Sequence, residues 1–282
     1  MGSGGEARTV ENIHEPVTVD SLESDFVDLG VREADTVLVH ASLRSLGWVC
    51  GGAVAVNAAL RAAVGPHGTI VMPAHSAGLS DPATWMNPPV PEAWWPTIRA
   101  TLPAFDPRTT PTRRMGAIAE LFRTLPGVLR SDHPTSSVAA AGPNAERIIE
   151  SQMLDDPAGA NSPLAALYDL HAKVLLLGVG HDRNTSLHLA ERRAFGDAQV
   201  EVENGAPVLA GRDRIWIVYR EPVLDSDDFV ALGADLERRT EAVTVGRVGS
   251  AETRLMDQRT LVDFAVTWFQ SHRKADGTIA ST

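Results

Sequence analysis

Residues 174–194 read VLLLGVGHDRNTSLHLAERRA, and this stretch decides the reading of the fold. The opening run, 174–180, is short and apolar. It has the length of a buried strand rather than a helix. Gly178 and Gly180 then open a turn of polar residues, 181–185. Apolar positions resume at Leu187, Leu189 and Ala190, and the spacing predicts a helix over 186–194, with Asn184 or Thr185 placed to cap it. A strand, a glycine-flanked turn and a helix form the repeating unit of α/β folds. In those folds helices pack on a buried sheet, and ligands gather beyond the carboxyl ends of the strands.

The same alternation extends outward. TVLVHAS (36–42) and TIVMPA (69–74) read as buried strands, AVAVNAALRAAVG (53–65) as a helix stopped by a glycine, and RIWIVYRE (214–221) as a strand near an edge. Helices are expected at 18–30, 115–124, 144–152, 162–170, 227–239 and 259–273, the last with an apolar stripe at 261, 262, 264, 265, 268 and 269. The expected fold is α/β, a single large domain with a central, mostly buried mixed sheet flanked by helices. The domain should span 17–273, between a flexible leader (1–16) and a flexible tail (274–282). Residues 75–114 are rich in Pro and Trp and lack periodicity. Because they carry Trp85, Trp94, Trp95 and Phe105, they are expected to form an ordered lid or wall of a site.

Composition narrows the function. The 282 residues hold 25 basic and 36 acidic side chains, a net charge of −11. Phosphate-backbone binding needs a basic surface, so nucleic acid is not expected as a partner. The charge suits either a cationic partner or simple solubility. One cysteine, Cys50, rules out a disulfide scaffold and a cysteine-based zinc site. It points to a reducing, cytoplasmic setting, and Cys50 itself is expected to be a small buried hydrophobe. No apolar run reaches the ~20 residues of a membrane span, and the polar start has no signal-peptide core.

Four segments carry candidate chemistry. His188 falls in the first turn of the predicted helix, and Glu191 lies three residues on, on the same face. Amide dipoles at that helix end disfavour positive charge, which suits a group that must accept a proton. The pair reads either as a base oriented by an acid, or as a packed histidine with Glu191 turned to Arg192 or Arg193. Asp182, in the preceding turn, is free to bind a cationic group. His181, Asp182 and His188 lack metal-ligand spacing, so no metal is expected. VHASLRSLGWVCGG (39–52) ends a strand in small residues and glycines, either a phosphate cradle or an ordinary turn. TPTRRMGAIAE (110–120) places Arg113 and Arg114 before a helix start, as an anion site or a surface basic pair. RSDHPTSSVAAAG (130–142) leads hydroxyls into a run of small residues, which fits a narrow channel or tight packing. His133, held before a proline, reads as structural. No G-x-S-x-G elbow occurs.

In order and spacing, these segments resemble the aminoglycoside 3-N-acetyltransferase family over about residues 18–272. The resemblance rests on VHASLRSLGWVCGGA, MPAHS, NPPVPEAWWPTIR, PAFDPRTTPTRRMGAIAELFR, PGVLRSDHPTSSVAAAG, SPLAALYDL, VLLLGVGHDRNTSLHLAE and VGSAETRLMDQRTLVDFAVTW. It implies transfer of acetyl from acetyl-CoA to an aminoglycoside amine, usually the 3-amine of the 2-deoxystreptamine ring, and so a role in antibiotic resistance. In the family's T-x-x-H-x-A-E motif the base falls on His188 and the acid on Glu191. Asp182 falls in the aminoglycoside cleft, and Asp81 is the carry-over for a second substrate carboxylate. The coenzyme A segment falls on His40, Ser42, Leu43, Arg44, Ser45 and Gly47, with further contacts implied for Thr112, Arg113, Met115, Gly116 and Ser137. The expected partners are an aminoglycoside and acetyl-CoA, in a monomer or dimer. The alternatives are the same chemistry on another amine or amino sugar, and a non-catalytic relative that only holds coenzyme A.

Overall fold

The computed structural model describes residue 10, residues 15–150 and residues 152–276. Most of the leader expected over 1–16 and of the tail over 274–282 lies outside the described residues. Three parallel strands, β1 (Thr36–Ala41), β2 (Thr69–Pro73) and β5 (Lys173–Leu177), form the middle of a seven-stranded sheet. The antiparallel strands β3 (Leu129–Arg130) and β4 (Val138–Ala141) extend it beyond β2, and β8 (Val243–Val248) and β9 (Ala251–Asp257) extend it beyond β5. The order is β3-β4-β2-β1-β5-β9-β8, a mixed sheet as expected.

The middle strands are apolar throughout because both of their faces are covered. Val37, Val39, Leu175 and Leu177 point to one side. There they meet α1 (Val19–Leu29), α2 (Gly52–Val64) and α4 (Gly116–Phe122) through Phe26, Leu60 and Phe122. Leu38, Val174 and Leu176 point to the other side. That layer holds α5 (Ala145–Ile149), α6 (Pro163–Asp169), α7 (Ser186–Phe195), α8 (Phe229–Arg239) and α9 (Gln258–His272). Each fully buried side chain of this size contributes about 1.5–3 kcal/mol relative to exposure, so the two layers supply the main drive to fold.

Three differences from the expected elements have physical causes. Residues 213–222 do form a strand, β7 (Asp213–Pro222), but it pairs only with β6 (Glu201–Ala210) in a separate two-stranded ribbon. Strand β6 was not expected, since it carries Asn204, Gly205 and Pro207, residues that interior strands avoid and an unpaired edge tolerates. The β8–β9 hairpin was also missed, because β8 lies at the sheet edge and shows little burial. Segment 75–114 is ordered as expected, and it adds a short helix, α3 (Trp95–Thr101). Cys50 is exposed rather than buried, with its backbone N–H bonded to Val17 O.

The topology fixes where a site can form. The chain leaves β1 for β2 on one side, while β5 lies against β1 on the other. The crevice between the carboxyl ends of β1 and β5 is therefore a topological switch point, the place where open α/β sheets bind ligands.

Candidate active site

Three imidazoles converge on this edge. His40 is the penultimate residue of β1 and pairs in register with Leu176. Its Nε2 lies 3.4 Å from Thr185 Oγ1, just ahead of α7. Burial, with smaller contributions from His75 and His188, pushes His40 down to about 3. Burial, and then His188, His133 and Arg130, push His75 down to about 4. Both rings are therefore neutral at physiological pH, and they line the crevice without adding positive charge.

His188 sits in the first turn of α7, its ring against Phe229 at 4.9 Å between centroids. Its Nδ1 lies 2.5 Å from Glu191 Oε2. Glu191 is 0% exposed. The expected cap is looser than its sequence suggested: Thr185 makes no side-chain cap bond, and Asn184 Oδ1 accepts from Ser186 N at 3.2 Å. Of the two readings of the pair, the geometry favours the oriented base. Arg192 pairs with Asp156 at 2.9 Å, and Arg193 lies 3.7 Å over the Tyr168 ring, so neither takes Glu191. With Nδ1–H donated to the carboxylate, the lone pair lies on Nε2. That atom has no hydrogen-bond partner among the described residues, and the side chain stays 19% exposed. Glu191 Oε1 is held from behind by Arg273 Nη1, and the N–H of Asp225 donates to it at 3.3 Å.

The proposed coenzyme segment lies beside this pair. Ser42 N donates to Leu177 O, and Ser45 Oγ lies 2.9 Å from both Ser42 Oγ and Gly178 O. Leu43–Leu46 form a single 3-10 turn that ends at Gly47. Gly47 (φ +88°) and Gly51 (φ +88°) turn the chain into α2, whose N-terminus has no side-chain cap. Gly52 N and Val54 N already bond Val49 O and Gly51 O, so what suits an anion here is chiefly the exposed Arg44. Gly178 holds φ +65°, and a Cβ on it would stand 2.6 Å from Ser45 Cβ. The two turns can approach only because that position is glycine. The 110–120 segment joins from the side. Arg113 N bonds to His75 O at 2.8 Å, Met115 packs on the core, and a Cβ on Gly116 would lie 3.7 Å from Ala41 O. Arg44, Arg113 and Arg114 have no acidic partner among the described residues, as expected of groups awaiting an anion.

Other expected residues are already engaged. Thr112 donates through N and Oγ1 to Glu120, at 2.8 and 2.6 Å. Burial alone would raise Glu120, but Arg123 and Thr112 bring it down to about 2. Ser137 is fully buried and lines no channel: it donates to Ala74 O at 2.8 Å and accepts from Arg130 Nε at 2.9 Å. Arg130 stitches residues 107–110 of the 75–114 segment to the sheet end through Pro107 O, Thr110 O and Ser76 Oγ. His133 is structural as expected. Its Nδ1 accepts from Thr135 N and Ser136 N at 3.2 and 3.0 Å, so Nε2 carries the proton and donates to Leu154 O.

A cavity of about 440 Å³ opens next to His75, walled by Trp85, Arg113, Thr135, Asn204 and Glu221. Glu221 was not singled out in the sequence. It lies near the end of β7, and burial raises its carboxyl while a 2.5 Å bond from Asn204 Nδ2 opposes that rise. One signal could have found it: Glu221 shares a strand face with the buried Tyr219, two residues before it. The carboxylates expected at the cleft are already paired, although Asp81 N donates to Asn204 Oδ1 of the cavity wall at 2.9 Å. Asp81 is claimed by Arg99 in two bonds, at 2.8 and 2.9 Å, and Asp182 is exposed and paired with Arg183 at 3.0 Å. His181 bonds Glu237 at 3.0 Å. Among the described residues no group of three His, Cys, Asp or Glu is arranged to hold a metal ion. Nor is any helix among them long and apolar enough to cross a membrane.

Comparison with known proteins shows the family and the fold. Residues 38–270 match the family described as aminoglycoside 3-N-acetyltransferase. The chain is 44% identical to the SPbeta prophage-derived aminoglycoside N(3')-acetyltransferase-like protein YokD of Bacillus subtilis (strain 168), covering 93% of this chain and 96% of that one. It is 35% identical to aminoglycoside N(3)-acetyltransferase VIII of Streptomyces fradiae, over 94% and 96%. Among solved structures, YokD superposes with a TM-score of 0.91 over 94% of this chain and 97% of that one. AAC-VIa bound to sisomicin superposes at 0.81 with 32% identity, covering 91% and 98%. AAC-IIIb in a binary complex with CoASH superposes at 0.80 with 31% identity, covering 91% and 97%. On the match of its whole domain, the chain belongs to the aminoglycoside 3-N-acetyltransferase family.

Proposed function

We propose that this enzyme transfers the acetyl group of acetyl-CoA to an amine of an aminoglycoside, the 3-amine of the 2-deoxystreptamine ring, by direct attack. The observation that carries the reading is the His188–Glu191 contact at 2.5 Å, with Glu191 fully buried and His188 Nε2 without a hydrogen-bond partner among the described residues. Nε2 takes a proton from the substrate amine. The nitrogen lone pair forms the C–N bond, the thioester C–S bond breaks, and the departing thiolate recovers the proton from the imidazolium. No acyl-enzyme is needed. The coenzyme's phosphates lie against the Ser42–Gly47 turn and Arg44, with Arg113 and Gly116 at the flank. Relatives that bind CoASH and sisomicin support both partners. Glu221, at the wall of the 440 Å³ cavity, receives an ammonium group of the acceptor. A carboxylate that is half-buried and bonded by only one neighbour gains most from a cation.

The test is release of free thiol from acetyl-CoA against a panel of aminoglycosides and simple amines. Turnover with 2-deoxystreptamine antibiotics, and acetate found on the 3-amine by mass spectrometry and NMR, is the expected outcome. Turnover confined to other amines would overturn the substrate assignment, and thiol release with none of them would overturn the activity.

A further inference from the structure

Glu191 is gripped from the side opposite His188 by a residue that the catalytic motif does not contain. Arg273 follows α9 directly, its backbone N–H donating to Phe269 O at 2.9 Å. Its guanidinium is 5% exposed. Nη1 donates to Glu191 Oε1, Nε donates to Asp228 Oδ2 at 2.9 Å, and Nη2 donates to Asp228 Oδ1 and to Asp225 O. The plane of the group rests over the Phe269 ring, 4.8 Å from its centroid. Four of its five N–H groups are thus committed. One prong fixes the carboxylate that orients His188, and the other fixes the 225–228 loop that leads into α8, whose Phe229 packs on the His188 ring.

A buried carboxylate with two free oxygens can rotate, and can bond its histidine through either oxygen in several geometries. Pinning Oε1 leaves Oε2 a single direction. The guanidinium also compensates the negative charge of Glu191, so that charge does not depend on a positive imidazole for balance. On the far side of the pair lies a second cavity of about 310 Å³, bounded by Glu191, Arg273, Gln199, Val223 and Lys274.

We propose that Arg273 is a positioning residue of the active site: by holding Glu191 Oε1 it aims Oε2 at His188 Nδ1, from the wall of the 310 Å³ cavity. The proposal rests on the proposed function above, since it assigns how the base is oriented. Two consequences separate it from a purely structural clamp. Truncation should lower kcat with little change in KM. Because the vacated volume joins the cavity, free guanidinium should enter and restore what the side chain supplied.

The experiment uses the full chain. Arg273→Ala is compared with Arg273→Lys and with the parent, in thiol release and in the proton NMR resonance of the short His188–Glu191 hydrogen bond, identified by its loss in His188→Gln. The expected result is a kcat lower by about 10–100-fold in Arg273→Ala, the usual cost of losing a group that orients a reacting residue. KM should stay within about threefold of the parent, a pattern of lost transition-state interaction. The downfield resonance should be lost or broadened, and millimolar guanidinium chloride, but not ammonium chloride, should return both rate and resonance. Arg273→Lys, which keeps the charge but not the fork, should fall between. Rescue by neither salt, or by both equally, would overturn the proposal. So would a folded Arg273→Ala with the parent's kcat and resonance. An inactive parent that still shows the resonance would instead refute the proposed function, and the NMR arm would then decide the role of Arg273 alone.

Discussion

Acid should destabilise this protein in a way that can be assigned to single histidines, and His133 gives the cleanest case. The ring is 0% exposed, and its Nδ1 must stay unprotonated to accept from Thr135 N and Ser136 N. Burial, offset in part by the bond to Leu154 O, lowers it from 6.5 to about 4. Between those two values the unfolded chain binds a proton that the folded chain refuses, so stability falls as the pH is lowered through this window and is restored above it. Summing that proton difference from pH 7 to pH 5 gives about 2 kcal/mol for one such ring. His40 and His75 are shifted in the same direction, so the whole protein should lose more than this. His133→Asn isolates the single contribution. An asparagine Oδ1 can accept from the same two amides, as in an Asx turn, and does not titrate. Loss of the bond to Leu154 costs about 0.5–1.5 kcal/mol, and this cost is independent of pH. Urea unfolding at a series of pH values, read by circular dichroism, gives the stability of each protein. The stability lost on acidification should be smaller in His133→Asn by about 2 kcal/mol. Parallel curves for the two proteins would refute the argument, because they would mean that His133 titrates alike in both states.

Four further outcomes follow from the same geometry. His188→Ala should lower kcat by about 10²–10⁴-fold, the usual worth of a general base, with acetyl-CoA binding retained by calorimetry; near-normal turnover would remove His188 from that role. Glu221→Gln should raise the aminoglycoside KM by about 10–100-fold, the loss of a ~1.5–3 kcal/mol charge-assisted bond, and an effect confined to kcat would place Glu221 elsewhere in the reaction. Gly178→Ala places a methyl 2.6 Å from Ser45 Cβ at a positive φ, so acetyl-CoA affinity should fall along with Tm. Asp81→Asn breaks the pair with Arg99, so it should cost stability in thermal melts more than substrate affinity; the opposite split would return Asp81 to the cleft.

What the sequence made legible follows from the distance over which each signal acts. The middle strands were readable because burial on both faces leaves an unbroken apolar run. Strand β6 was not, because an open edge permits Asn204, Gly205 and Pro207. His188 and Glu191 were readable as a pair because three residues of helix place them on one face. Their rear support was not: Arg273 lies 82 residues from Glu191, and only the packing of α9 against α7 brings it there. Asp81 shows the converse. Its carboxylate is visible in the sequence, but the claim of Arg99 upon it depends on how the 75–114 segment folds back through α3. Ser137 likewise stands in a run of small residues that fits a channel or tight packing, and the buried Arg130 decides between them.

The charge of −11 takes on a different meaning once the ion pairs are placed. Charges on the surface act over a Debye length of about 8 Å at physiological salt. Carboxylates farther than that from the crevice act on the rate at which a polycation arrives rather than on its affinity. Affinity has to come from groups at the site. On the proposed coenzyme side, Arg44, Arg113 and Arg114 stand without acidic partners among the described residues. By contrast Arg99, Arg123, Arg192, Arg254 and Arg273 are each paired. Under the proposed function, an acidic chain holds an anionic coenzyme with arginines that its own carboxylates leave unpaired, as these three beside the β1 turn and the 110–116 segment are. On the proposed acceptor side, the half-buried Glu221 is the one carboxylate that lines the cavity among the described residues. Under the proposed function, substrate steering and substrate grip are carried by different residues, so that one acidic protein can accommodate both an anion and a cation within a single crevice.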